Sequence, residues 1–171
     1  EGFKGIIVKI GEKFNKLNRD GNKVTAGAGI LLSSLAKYIA KESLAGFEFA
    51  SGIPGYLGGA VPINAGAYGG EMKDIVTKVK CMDMDGKIHE FSNKEMKFAY
   101  RHSKLTDSEY VVLEAELELI PGIVEDIMEK IKELNEKRTS KQPLNLPSAG
   151  STFKRPSNGY ASKLIEDAGL K

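Results

Sequence analysis

Three short segments of this 171-residue chain carry groups that could do chemistry. The densest is Gly52 to Gly70, GIPGYLGGAVPINAGAYGG, in which seven of nineteen residues are glycine and two are proline. Ile53, Leu57, Val61 and Ile63 are interleaved with the glycines, and a flexible linker would lack such apolar residues. Glycine admits positive φ and lets main chain approach a ligand with no Cβ in the way. With one amide side chain, Asn64, the segment fits main chain wrapped around a large, flat, partly anionic ligand; a tight loop between core elements is the competing reading. The second segment is Tyr100-Arg101-His102-Ser103. Its arginine could grip a carboxylate or phosphate through two parallel hydrogen bonds, against the plainer reading of a surface arginine in a loop. The third, Ser148 to Pro156, combines small residues, hydroxyls and cations. A serine held there by Gly150 could donate a proton, and a polar turn is the alternative. No histidine-and-acid pair nearby points to a hydrolase triad.

These segments need elements to position them. Lys23 to Ala28 reads as a strand entering Gly27 and Gly29, followed by a helix with Leu31, Leu32, Leu35, Ala36 and Ile39 at helical spacing, stopped by Gly46. Gly27-Ala28-Gly29 fails as a dinucleotide fingerprint, because Leu32 occupies the third glycine position, and reads as a tight turn. Ile75 to Met84 and Lys87 to Phe91 flank Asp85-Gly86, a two-residue hairpin signal. Ser92 to Glu95 matches a capping box. From Tyr110 to Leu119, alternation predicts a half-buried strand with Val111, Leu113, Ala115, Leu117 and Leu119 on one face and Glu114, Glu116 and Glu118 on the other. Ile123 to Arg138 reads as an amphipathic helix with Ile123, Ile127, Met128, Ile131 and Leu134 as its stripe, and Gly159 to Ala168 as a further helix. Ile6 to Ile10 reads as an apolar strand, and both ends read as interior to a longer chain. Strands mixed with helices and a hairpin predict an α+β fold.

Composition narrows the function classes. A hydrophobic content of 41% builds an ordinary core, and a net charge of +2 with scattered basic residues makes no case for nucleic acid. No apolar run approaches membrane-spanning length. Cys81 stands alone, so no internal disulfide is expected, and His89 and His102 lack metal-ligand spacing, so no metal is expected. A cytoplasmic setting fits this cysteine usage.

In order and spacing, GIPGYLGGAVPINAGAYGG, YRHS, the stretch Arg138-Thr139-Ser140-Lys141-Gln142-Pro143 and AGSTFKRP resemble the UDP-N-acetylenolpyruvoylglucosamine reductase family, along nearly the whole chain. The glycine segment alone is similar to the wider superfamily of flavin domains of the p-cresol methylhydroxylase type. The resemblance implies a flavin-binding domain over residues 1–122, then a linking helix and the start of a smaller α+β substrate-binding domain over 123–171. It implies FAD and NADPH as cofactors and a UDP-sugar as substrate, with hydride transfer to an enolpyruvyl group in peptidoglycan precursor synthesis. Gly52, Ile53, Pro54, Gly58, Gly59, Asn64 and Gly66 match the family's FAD-cradling stretch, and Arg138 matches an arginine that contacts FAD. Arg101 corresponds to the arginine near the flavin and the substrate carboxylate, and Ser151 to the serine that protonates the substrate. Tyr100 and Lys141 fall at substrate positions, Lys141 near the diphosphate; Arg155 stands where some members have asparagine.

The short link from Leu119 to Arg138 matches the shorter subtype of the family. The resemblance further implies a complete protein that is monomeric, binding neither nucleic acid nor membrane. The competing functions are a flavin oxidase of the same superfamily and a catalytically silent flavin- or nucleotide-binding fragment.

Overall fold

The computed structural model describes residues 2–142, 153–156 and 159–170. By its contacts the chain divides into two compact units, residues 1–138 and 139–171.

The first unit opens with β1 (Leu17–Asp20) and β2 (Lys23–Gly27), an antiparallel pair turning at Gly21. Helix α1 (Leu32–Lys41) follows, burying Leu32, Leu35, Ala36, Ile39 and Ala40, the predicted stripe. It ends where Ser43 and Gly46 take positive φ, next to the short strand β3 (Leu44–Ala45). The glycine segment contributes α2 (Leu57–Ala60) and a small ribbon of β4 (Gly66–Ala67) and β5 (Gly70–Glu71). Then come β6 (Val76–Met82), β7 (Ile88–Ser92), α3 (Asn93–Met96), β8 (Val111–Glu118), β9 (Ile120–Pro121) and α4 (Val124–Lys141). Five strands form one sheet in the order β1-β2-β8-β6-β7, every neighbouring pair antiparallel. β9 pairs with β3. This is the predicted α+β class. Val24 and Ala26, Val79 and Cys81, and Ala115 and Leu117 carry the sheet's buried face, and Leu35, Ile39, Leu57, Ile127 and Ile131 belong to the same core. The second unit contains α5 (Ala161–Asp167), which buries no residue fully.

Four expectations change in the folded chain. Ile6 to Ile10 forms no strand, and Ile6, Ile7 and Val8 are 91%, 78% and 82% exposed. An apolar run becomes a strand only when its backbone groups find a partner, and among the described residues none pairs with it. The β6–β7 hairpin closes through Asp83 N–H to Lys87 O and Gly86 N–H to Asp83 O, so its loop has three residues, with Gly86 at φ 82° in the left-handed place. Strand β8 pairs Glu114 with Lys80 but Val112 with Cys81, leaving Leu113 as an extra residue. This bulge reverses the alternation beyond it: Val112 is buried in place of Val111. On α4, Ile127, Ile131 and Leu134 are buried as expected, whereas Met128 faces outward and Ile123, which precedes the helix, is exposed. The capping box of α3 forms as read, with Ser92 N–H donating to the Glu95 carboxylate at 2.8 Å.

Candidate functional site

The glycine segment is laced to the end of β2 and the start of α1 by main-chain hydrogen bonds. Leu32 N–H donates to Gly55 O, Leu57 N–H to Ile30 O and Gly58 N–H to Ala28 O, at 3.0, 3.0 and 2.9 Å. The Gly27-Ala28-Gly29 turn, no dinucleotide fingerprint, is thus part of the platform that holds α2. A Cβ on Gly58 would stand 2.8 Å from Ala28 Cβ, and one on Gly27 would stand 2.0 Å from Phe14 O, so both glycines are required by packing. Beside this platform lies an open groove of about 570 Å³, lined by Lys9, Ile10, Gly29, Leu31, Ser34 and Tyr56.

The same question can be put to each glycine between residues 52 and 70. A Cβ on Gly52 would meet Asn135 Oδ1 at 2.6 Å and Arg138 Cδ at 3.2 Å; one on Gly66 would meet Gly70 O at 2.6 Å; one on Gly70 would strike the Phe49 ring. Gly55 and Gly69 take positive φ. Gly59 alone of the seven has neither reason: no atom lies within 4 Å of its Cβ position, and its φ is not left-handed. Glycine inside a helix costs about 0.5–1 kcal/mol relative to alanine. A glycine kept there with open space before it fits main chain that a flat ligand must approach closely. Ser51 Oγ, buried next to Gly52, has no hydrogen-bond partner among the described residues, so one polar group remains to be satisfied at this end of the segment. The residues present therefore fit a bound dinucleotide cofactor.

Arg101 stands at the other end of the segment. Ala99 and His102 exchange backbone hydrogen bonds of 2.9 and 3.2 Å, leaving Tyr100 and Arg101 at the tip of a two-residue turn. Arg101 has φ 53°, an uncommon conformation for a long side chain. Its Nη2 donates to Gly66 O at 3.1 Å, and its guanidinium lies 5.4 Å from the centre of the Tyr100 ring. Asn64, fully buried, donates from Nδ2 to Glu71 Oε2 and to Ala99 O, and its Oδ1 accepts the Lys73 N–H. The Lys73 ammonium, 2.8 Å away, is the main cause that holds the Glu71 carboxyl below the ordinary carboxylate range, with smaller help from the Asn64 amide and Arg101. Thr106 Oγ1 donates to Pro62 O and accepts the Ser103 N–H.

The structure thus brings Gly66, Asn64, Tyr100 and Arg101 together, and separately packs Arg138 on Gly52, which Ile53 and Pro54 follow in the chain. The Asn64 side chain is spent on the protein. Ser151 and the Lys141 side chain lie outside the described residues. Arg155, in the second unit, lies 4.2 Å from the centre of the Tyr160 ring and donates to Gly159 O. His102 is 3.8 Å from Asp107 on the surface. Cys81 is buried, and burial pushes its thiol up to about 11, so it is no nucleophile. Among the described residues no group of histidine, cysteine, aspartate and glutamate could hold a metal ion. Glu71, Lys73, Ser103 and Thr106 escape sequence reasoning, since each looks like an ordinary surface polar residue and only its partners give it a role.

The model of the FAD binding domain family matches residues 1–92, and that of the UDP-N-acetylenolpyruvoylglucosamine reductase C-terminal domain matches residues 142–171. The UDP-N-acetylenolpyruvoylglucosamine reductase of Clostridioides difficile is 51% identical over 170 residues, 99% of this chain and 56% of that protein. The corresponding reductase of Caldanaerobacter subterraneus is 53% identical over 171 residues, 100% of this chain and 56% of that protein. A crystal structure of UDP-N-acetylenolpyruvylglucosamine reductase from Thermus caldophilus superposes with a TM-score of 0.78 at 34% identity, over 93% of this chain and 57% of that one. The chain spans somewhat more than half the length of these relatives. Matched over more than half its length by the flavin-domain model, the chain belongs to the FAD binding domain family.

Proposed function

We propose that the protein carrying this chain reduces the enolpyruvyl group of UDP-N-acetylglucosamine enolpyruvate to give UDP-N-acetylmuramate, a step in peptidoglycan precursor synthesis, with FAD as cofactor and NADPH as reductant. The observation that carries this reading is Arg101, held in a left-handed turn with its guanidinium on the Gly66 carbonyl of the glycine segment. A cation is thereby fixed against the stretch that fits the cofactor. Similarity to the reductases over the whole chain supports the same reading. The match of residues 142–171 favours it over a flavin oxidase of the same superfamily.

A bound reduced flavin would supply the hydride chemistry for reducing the enolpyruvyl double bond. Arg101 would stabilise the negative charge that such a reduction would place on the adjacent carbon and its carboxylate. Ser151 donates the proton to that carbon; a hydroxyl is a weak acid and serves because the carbon has become basic. Gly52, Ile53, Pro54, Gly58, Gly59 and Gly66 offer main chain to the cofactor, with Arg138 beside Gly52. Tyr100, Lys141 and Arg155 take the substrate. In this reading residues 1–122 form the flavin-binding part, and 123–171 the linking helix and the start of the substrate-binding part. Among the described residues no helix is long and apolar enough to cross a membrane. A cytoplasmic monomer that binds the UDP-sugar and NADPH is the form proposed.

The test is anaerobic spectroscopy of the full-length protein. The expected result is co-purified flavin, bleached by NADPH and restored by the enolpyruvyl UDP-sugar. A protein without flavin affinity, or one whose flavin is reduced by an alcohol and not by NADPH, overturns the proposal.

A further inference from the structure

Asn64 is a natural candidate to touch the cofactor, since it is the one amide in the glycine segment. Its geometry assigns it elsewhere. The side chain is 0% exposed, and both Nδ2 hydrogens are used, on Glu71 Oε2 at 2.9 Å and Ala99 O at 3.0 Å. Oδ1 accepts the Lys73 N–H at 2.9 Å. A primary amide has two donors, so none is left for a ligand. The Glu71 carboxylate, paired with Lys73 at 2.8 Å, can only accept, which fixes the amide with its NH2 toward Ala99.

Ala99 closes the turn that carries Arg101. Arg101 at φ 53° and Asn64 at φ 44° are both in the left-handed region, where a non-glycine residue persists when its surroundings over-determine it. A second tie reaches the turn from its far side. Thr106 Oγ1 donates to Pro62 O at 2.9 Å and accepts the Ser103 N–H at 2.9 Å, directly after His102. Both ties anchor on residues 62–64, so the turn is held at its two ends by the glycine segment itself.

We propose that Asn64, oriented by the Glu71–Lys73 pair, and Thr106 are positioning residues that hold Arg101 at a fixed place on the glycine segment. Cofactor cradle and cation then form one mechanical unit. What Arg101 does rests on the function proposed above; where it is held does not.

The experiment uses the full-length protein with Asn64→Ala, Thr106→Val, Arg101→Ala and the two doubles with Arg101→Ala. Two readouts are taken: amide hydrogen exchange at Ala99 and His102, and reoxidation of pre-reduced flavin by the enolpyruvyl UDP-sugar. Expected are at least about tenfold faster exchange at these two amides with Leu57 and Val61 unchanged, retained FAD, and about 10- to 100-fold slower reoxidation, as a misplacement of about 1 Å can cause. Each double should be no slower than Arg101→Ala alone, because a residue acting through Arg101 has nothing left to position. Additive losses overturn the proposal, as does loss of FAD with exchange at Ala99 and His102 unchanged. Should Asn64→Ala fail to fold, Thr106→Val, at an exposed site, carries the same test. Should the parent protein show no reoxidation by this substrate, the functional reading fails, and the exchange measurement alone decides: parent-like exchange in the variants overturns the positioning role.

Discussion

Substitutions at the neighbouring glycines 58 and 59 should have opposite consequences, because the two face different things. A Cβ at Gly58 would lie 2.8 Å from Ala28 Cβ and 3.1 Å from Ala28 O, while Gly58 N–H is bonded to that same oxygen at 2.9 Å. Main chain must shift, so Gly58→Ala should destabilise the apoprotein by about 1–3 kcal/mol, the usual cost of overpacking. At Gly59 no atom lies within 4 Å and φ is not left-handed. Gly59→Ala should therefore leave the apoprotein as stable or up to about 1 kcal/mol more stable, through the lower entropy of the unfolded chain. If the open space is where flavin dinucleotide lies, a valine there must push against the ligand. An overpacking cost of about 1–3 kcal/mol corresponds to about 5- to 150-fold weaker FAD binding. Urea unfolding of flavin-free full-length protein measures the first quantity, and quenching of flavin fluorescence on titration measures the second. A Gly59→Val protein that binds FAD with parent affinity would show that this face looks onto solvent, and the cradle assignment would fall.

Arg101→Lys keeps the charge and loses the planar two-pronged grip, so reoxidation of reduced flavin by substrate should slow at least about tenfold while reduction by NADPH suffers less; equal losses would make Arg101 a flavin- or fold-supporting residue. Ser151→Ala should leave FAD binding and reduction by NADPH intact and slow reoxidation, with Ser151→Cys retaining more turnover because a thiol, of unperturbed pKa about 8.5, can also donate a proton. Parent-rate reoxidation in the alanine variant would reduce Ser151 to a turn residue. Asp83 bonds His89 Nε2 at 2.6 Å, and this hydrogen bond, followed by the amides of Lys87 and Asp85, lowers its carboxyl pKa. A depressed carboxyl contributes stability that is present above its unfolded pKa of about 3.9 and lost as pH falls through its folded value. Urea midpoints measured from pH 5 down to pH 2 should therefore fall less steeply in His89→Ala than in the parent, and parallel curves would count against the link.

Much of this protein is decided by residue type and local spacing. Helix α1 and the buried stripe of α4 follow from a period of 3.6, and the α3 capping box from Ser92 and Glu95, because these depend on neighbours three or four residues away. The residue types of the glycine segment leave a ligand cradle and a tight loop both open, whereas its match in order with YRHS and AGSTFKRP is a property of sequence alone. Tertiary structure decided what depends on partners distant in the chain. The Leu113 bulge, which buries Val112 in place of Val111, is set by pairing with β6 some thirty residues earlier. The apolar run at Ile6 to Ile10 stays unpaired for lack of a partner among the described residues, a condition its own residues cannot report. Most decisive is the sorting of the glycines: Gly52, Gly58, Gly66 and Gly70 answer to Arg138, Ala28, the facing ribbon and Phe49, Gly55 and Gly69 to their left-handed φ, and only Gly59 faces open space without that backbone reason. A missing side chain looks alike in sequence whether protein or ligand occupies its volume. Likewise an asparagine among glycines looks like a ligand's partner until its hydrogen bonds are traced, and in the fold they end on Glu71, Lys73 and Ala99.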